Sequence, residues 1–255
     1  MHIFDISIFA IQIAPTWYGL MYALGFILCY TYINIYWYLR WKDIDSLLIF
    51  IFIGVILWWR LGYVILYDFS YFFAHPLEIG AIWKGGMSFH GGALGVIIGM
   101  VAFSKMKGYR LFDISDPLVS ILPIALGLGR IGNYINGELL GFSPYEWPWK
   151  IIEKWISHFP STLLEAFLEG IVLLIIMQWA RIYEQKNGRS PWRASLIFLL
   201  GYGVFRIFAE FLRLPDVHIG YLFWTDWVTL GMLYTLPMII GAGIIWFMRR
   251  AKAQL

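Results

Sequence analysis

Runs of about eighteen or more apolar residues recur along this chain, and a run of that length crosses a bilayer as a helix rather than folding into a water-soluble core. Stretches near twenty residues fall at 17–39, 46–67, 87–104, 114–131, 162–180, 194–212 and 227–248, with short connections between them. Composition agrees, with 60% of the residues hydrophobic and 14% charged. The expectation is an all-α integral membrane protein with seven transmembrane helices, because a segment in lipid must satisfy its backbone internally. The N-terminal stretch has an acid, no Lys or Arg, and leads into a run too long for a cleaved signal, so it reads as a retained span. Residues 1–255 read as a single polytopic membrane domain. Nothing in the composition points to a nucleic-acid partner, and a single cysteine, Cys29, excludes an intrachain disulfide.

Between the runs Lys and Arg alternate in density, and their excess marks the cytoplasmic side. Arg40, Lys42, Lys105, Lys107, Arg110, Arg181, Lys186, Arg189, Arg193, Arg249, Arg250 and Lys252 fall on one side. Lys84, Lys150, Lys154 and Arg213 fall on the other. This predicts the N-terminus outside and the C-terminus cytoplasmic. The longest outer connection, about 142–160, is rich in Trp, Pro and Lys and suits a segment lying at the headgroup interface. In the third run Gly91, Gly95 and Gly99 recur every four residues, the spacing of close helix packing.

Arg60, Arg130 and Arg206 lie inside apolar runs. Counted at 1.5 Å per residue from the cytoplasmic ends, these three and His90 sit roughly 18 to 24 Å up, in the outer half. An arginine at the centre of a span costs about 2.5–3.5 kcal/mol on insertion scales, so such a group needs an anion or a polar cavity. Tyr202, Arg206, Glu210 and Arg213 follow at helical spacing on one face. Internal pairing of Arg206 with Glu210 and of Arg130 with Glu138 would neutralise part of this charge. The positive remainder fits an anionic headgroup or phosphate.

The stretch GRIGNYINGELLG, 129–141, ends the fourth run. Asn136-Gly137 signals a turn, and the glycines permit a broken helix in the outer half of that span, a backbone tolerated only where it is buried or lines a cavity. This stretch is similar to the signature of the prolipoprotein diacylglyceryl transferases. WYGLMY at 17–22, GGMSFHGG at 85–92 and YGVFRIFAEFLRLPD at 202–216 resemble the same family, in register along almost the whole chain.

The resemblance implies transfer of the diacylglyceryl group of phosphatidylglycerol to the thiol of a lipobox cysteine in a lipoprotein precursor signal peptide. A thioether forms and glycerol 1-phosphate leaves. The setting implied is the lipid bilayer of the bacterial inner membrane, with no metal or organic cofactor. Carried over by motif position, the catalytic residues would be His90, Arg130, Arg206 and Glu138, and the substrate-binding residues Tyr18, Asn133, Asn136, Gly141, Tyr202 and Glu210. One segment departs from the family: a His-Pro-Ser-Gln-Leu-Tyr-Glu-like stretch is replaced by Phe159, Pro160, Ser161, Thr162, Leu163, Leu164 and Glu165.

Fixed arginines in a dry site would stabilise the charge that develops on a leaving phosphate ester. A thiol of pKa near 8.5 needs a base, and His90 is the candidate, with Gly91 and Gly92 leaving room for substrate. Ser88 lacks the full nucleophile-elbow pattern, so a serine hydrolase reading is weak. Arg60 reads as support, held by lipid phosphate or by Asp68. Cys29 lies about 16 Å deeper than Tyr18 by helix rise, beside no base. A transporter for an anionic solute is the alternative, since broken helices and midplane charges serve it too; the lack of a paired repeat speaks against it.

Overall fold

The computed structural model of the chain describes residues 6–8, 11–13, 16–36, 41–66, 69–81, 88–146, 150–153, 155–188, 190–215 and 220–253. It is mostly helical. Among the described residues, the helical stretches long and apolar enough to cross a membrane are Gly19–Tyr36, Lys42–Ile65, Leu111–Asn136, Ser161–Asn187 and Leu230–Arg250. Two further helices, Phe89–Lys107 and Arg193–Glu210, coincide with the remaining apolar runs. The chain divides into two compact units, 34–115 on the one hand and 1–33 with 116–255 on the other.

The unit of residues 34–115 centres on α2 (Trp41–Leu66) packed along α4 (Phe89–Lys107), with α3 (Phe69–Ala74) and a 3-10 turn (Pro76–Gly80) between them in sequence. Glycine makes the α2–α4 contact possible. A Cβ on Gly62 would stand 2.7 Å from the Cα of Gly91, and one on Gly99 2.6 Å from the Phe50 carbonyl oxygen; Gly54 and Gly95 abut in the same way. The four-residue glycine spacing is therefore a packing seam. Ser88 is the N-cap of α4, its Oγ accepting from the Gly91 N–H at 3.3 Å, which accounts for that serine without any nucleophilic role.

Arg60 is buried in this unit, donating from Nε to the Ile79 carbonyl at 2.8 Å and from Nη2 to the Glu78 carbonyl at 2.7 Å. Its guanidinium also lies over the Phe72 ring, 4.9 Å from the centroid. Backbone oxygens of the 3-10 turn thus hold it, a supporting role. Asp68, its other expected partner, lies outside the described residues.

In the other unit a short antiparallel hairpin, β1 (Ile6–Ile8) with β2 (Ile11–Ile13), precedes α1 (Trp17–Tyr36). Helix α5 (Leu111–Asn136) carries Pro117 and Pro123 and still runs without interruption. The break expected in its outer half is not there: α5 continues past residue 131 to Asn136 and ends where Gly137 takes φ +69. The irregular backbone lies in the next helical run instead. There α6 (Ser161–Glu165) passes into a π-helical segment (Ala166–Val172) and then into α7 (Leu173–Asn187).

Helices α8 (Arg193–Glu210) and α9 (Leu230–Ala253) pack together, and Leu173, Met177, Ala194 and Phe198 form a core cluster between α7 and α8. The connection expected at the interface contains an antiparallel hairpin, β3 (Ile151–Glu153) with β4 (Ile156–His158), so the structure is not purely α. At its turn Trp155 is exposed.

Candidate active site

The site is assembled in the unit of 1–33 and 116–255 from α5, the α6–π–α7 run and α8. A close glycine contact sets it up. A Cβ on Gly127 would be 3.0 Å from the Cα of Gly170, and one on Gly170 2.8 Å from the Cα of Gly127, so α5 lies directly against the π segment. Arg130, one turn after Gly127, then meets Glu169, the residue before Gly170: its Nε donates to Glu169 Oε2 at 3.1 Å. Glu165 and Glu169 are four residues apart in one helical run, a spacing that keeps both on the side facing Arg130.

Glu165 bridges two guanidinium groups. Its Oε2 lies 2.9 Å from Arg130 Nη1, and its Oε1 accepts from Arg206 Nη1 at 2.7 Å. Arg206 Nη1 is also 3.8 Å from Glu169 Oε1, while Nη2 donates to Glu210 one turn further along α8. Arg213 Nη1 approaches the same Glu210 oxygen at 3.4 Å, and Thr229 Oγ1 donates to Glu210 Oε2 at 2.6 Å. Tyr202 lies one turn before Arg206 on α8 and packs against the core cluster of Leu173, Met177, Ala194 and Phe198.

Formally the cluster balances, with Arg130, Arg206 and Arg213 against Glu165, Glu169 and Glu210. Of the two internal pairings weighed as the alternative, Arg206–Glu210 forms and Arg130–Glu138 does not, Arg130 pairing with Glu165 and Glu169 instead; the expected positive remainder is absent among these residues. Burial restores an asymmetry that the charge count hides. The side chains of Glu165 and Glu169 are 0% exposed and that of Glu210 is 4% exposed, whereas Arg130 keeps 16% and Arg206 and Arg213 10% each. The carboxylates are sealed behind the arginines, and what reaches the surface is cationic.

GRIGNYINGELLG forms the neighbouring wall. After α5, Gly137 at φ +69 and Leu139 at φ +58 turn the chain back, with the Glu138 N–H donating to the Asn133 carbonyl at 3.0 Å. Glu138 is exposed, and its two oxygens accept from Asn133 Nδ2 at 2.8 Å and Asn136 Nδ2 at 3.2 Å. Three of the expected site residues thus fix one another, apart from the arginine cluster's own pairs. Gly141 is buried and bridges to Arg213, and a Cβ there would press within 2.5 Å of the Phe159 carbonyl oxygen and 2.8 Å of that of Leu212. Its role is close backbone approach.

The departure at 159–165 has a local explanation. Ser161 Oγ donates to the Leu139 carbonyl at 2.6 Å, and just before the segment His158 is buried, its Nδ1 donating to the Gly141 carbonyl at 3.1 Å. Thr162 Oγ1 is buried with no hydrogen-bond partner among the described residues. The side chains of Tyr18 and His90 lie outside what is described; their backbones sit in the first turns of α1 and α4. Gly91, expected to leave room for substrate beside His90, is occupied by packing against Gly62 and Trp58.

Sequence reasoning missed Glu169, Thr229 and His158, and treated Glu165 as incidental. The signal was present for two of them: Glu165 and Glu169 are carboxylates four residues apart inside an apolar run, which lipid alone does not tolerate.

Fold and site together define a helical membrane protein with a buried cluster of paired arginines and carboxylates. The family of prolipoprotein diacylglyceryl transferases matches residues 5–248. The chain is 44% identical over 242 residues to a phosphatidylglycerol–prolipoprotein diacylglyceryl transferase of Methylococcus capsulatus, covering 88% of this chain and 87% of that one. It is 39% identical over 257 residues to the enzyme of that name from Bordetella avium, covering 95% and 94%, and 40% identical over 254 residues to that of Hydrogenovibrio crunogenus, covering 93% and 92%. The chain belongs to the prolipoprotein diacylglyceryl transferase family.

Proposed function

We propose that this protein transfers the diacylglyceryl group of phosphatidylglycerol to the lipobox cysteine thiol of a lipoprotein precursor, giving a thioether and glycerol 1-phosphate. The relatives' names supply the two substrates. The observation that carries the reading is the sealed-carboxylate, open-guanidinium cluster around Arg130 and Arg206 in a chain that the family matches over residues 5–248.

In the reaction a thiolate sulfur bonds to the glycerol carbon that carried the phosphate, the C–O bond breaks, and its electron pair leaves on the phosphate oxygen. Arg130 and Arg206 stabilise that developing charge, each with a planar fork suited to phosphate. Glu165 and Glu169 hold the two forks in place and compensate them in the empty site, so the arginines are already oriented when lipid arrives. The substrate thiol gives up its proton to a base, assigned here to His90. Asn133, Asn136 and Glu138 form a second polar group for the headgroup, with Gly141 letting the backbone close on it. Tyr202 and Tyr18 complete the lining, and Glu210 orients Arg206.

Seven membrane crossings, the N-terminus outside and the C-terminus cytoplasmic, place this site in the outer half of the inner membrane, where phosphatidylglycerol enters from the bilayer and the precursor signal peptide presents its cysteine. The reading is supported by the basic side chains that crowd one set of helix ends. The test is incubation of purified protein with phosphatidylglycerol and a lipobox peptide, reading glycerol phosphate release. Stoichiometric release with a diacylglyceryl-modified peptide is expected, and Arg130→Ala is expected to abolish both. An anion transporter would release no glycerol phosphate.

A further inference from the structure

We propose that the cleft between the start of α8 and the end of α9 binds the headgroup of an anionic phospholipid, at the opposite end of this helix pair from Arg206 and Glu210. The cleft has a volume of about 430 Å³, the size of a small-ligand site. Its polar lining is Arg193, Arg249 and Arg250 with the indoles of Trp192 and Trp246, and it includes no carboxylate. Guanidinium forks match phosphate oxygens in pairs, and indoles favour the headgroup level of a bilayer. Leu196 and Ile197 supply an apolar side. A free phosphate would use the arginines and leave the apolar side and the indoles without a partner, whereas a phospholipid uses both, its first methylenes lying on the leucine and isoleucine.

The mouth of the cleft is built from inside the protein. Asp116 on α5 is buried and accepts from the Trp192 N–H at 2.7 Å, from the Ser195 N–H at 2.9 Å and from Ser195 Oγ at 2.6 Å. These bonds hold Trp192 at φ +101, a backbone conformation rare for any residue but glycine. Across the cleft the Arg250 guanidinium lies over the Trp246 ring, 4.5 Å from its centroid. From Arg193 to Arg206 along α8 the helix rises about 20 Å, so this cleft and the arginine cluster are separate places. The inference does not depend on the transfer reaction.

The full-length protein in phosphatidylcholine nanodiscs carrying a small fraction of diazirine-labelled phosphatidylserine provides the test, with adducts mapped by peptide mass spectrometry. Adducts are expected within 192–197 and 246–250, and unlabelled phosphatidylserine is expected to compete for them in the unmodified protein. Arg249→Gln and Arg250→Gln are each expected to weaken competition about fivefold. Equal labelling by diazirine phosphatidylcholine would show a plain apolar groove and overturn the proposal. Loss of the adducts to millimolar inorganic phosphate would assign the cleft to free phosphate and overturn it too. Absence of adducts at these segments in the unmodified protein would do the same, as the signature of arginines that serve only to orient the chain in the membrane.

Discussion

Glu169 holds Arg130 from a place that solvent does not reach, and Glu138 works in the open beside it. Their neutral isosteres are therefore expected to separate structure from chemistry. Glu169→Gln leaves Arg130 and Arg206 sharing Glu165, and removing one partner of a buried pair costs about 3–5 kcal/mol. Its thermal unfolding temperature in detergent is expected to fall together with transfer. Glu138→Gln changes an exposed side chain, for which stability shifts stay within about 0.5 kcal/mol, so transfer is expected to fall at unchanged unfolding temperature. Equal thermal loss in both would remove Glu138 from the catalytic set. Cys29, by contrast, sits on α1 with its Sγ 3.9 Å from the Ile121 carbonyl and no base among its hydrogen-bond partners. Cys29→Ala is expected to retain turnover, and mass spectrometry of the working enzyme is expected to show no lipid on Cys29.

At the scale of elements, the run from α6 into the π segment presents two carboxylates four residues apart, on one side, to Arg130 of α5. Gly170→Ala is expected to push α5 off this segment, since its Cβ would come within 2.8 Å of the Gly127 Cα. Overpacking of this kind costs about 1–3 kcal/mol in stability, and the larger effect is expected on the rate, because Arg130 moves relative to Glu169. A helix with unchanged activity would show that Arg130 is placed by something other than this contact. The same element explains where sequence reading stopped. Apolar runs revealed the helices because their signal is length and composition, both local. The four-residue spacing of Glu165 and Glu169 marks one helix face, but nothing local in the sequence says that this face meets Arg130. Nearness in sequence offered Arg130 only Glu138 as an alternative partner, whereas its actual partners come from another helical run, 39 residues away in the case of Glu169. The glycines of 129–141 misled in the opposite direction, since α5 runs on to Asn136 and the break assigned to them does not occur.

For the whole molecule, the helix positions were legible and their arrangement was not. Hydropathy marks α8 less strongly than the other runs, because it carries Arg206 and Glu210 within its apolar length. The orientation rests on the distribution of Lys and Arg. A tag after residue 255 is expected to be shielded in intact cells and reached only after the membrane is opened; labelling from outside intact cells would reverse the assignment of sides and move the arginine cluster to the inner leaflet.

The arginine cluster also sets a condition on how the chain is made. Arg130 emerges from the ribosome before Glu165 and Glu169, its counter-charges. At 5–20 residues per second the interval up to Glu169 lasts roughly 2–8 s. During that time α5 carries an uncompensated arginine worth about 2.5–3.5 kcal/mol against insertion. Nascent α5 is therefore expected to wait at the insertion machinery until the carboxylate helix follows, and in a chain truncated before Ser161 a cysteine placed within α5 is expected to react with a water-soluble maleimide that does not reach it in the full-length chain. Order of synthesis, and not only final geometry, belongs to the chemistry of this site.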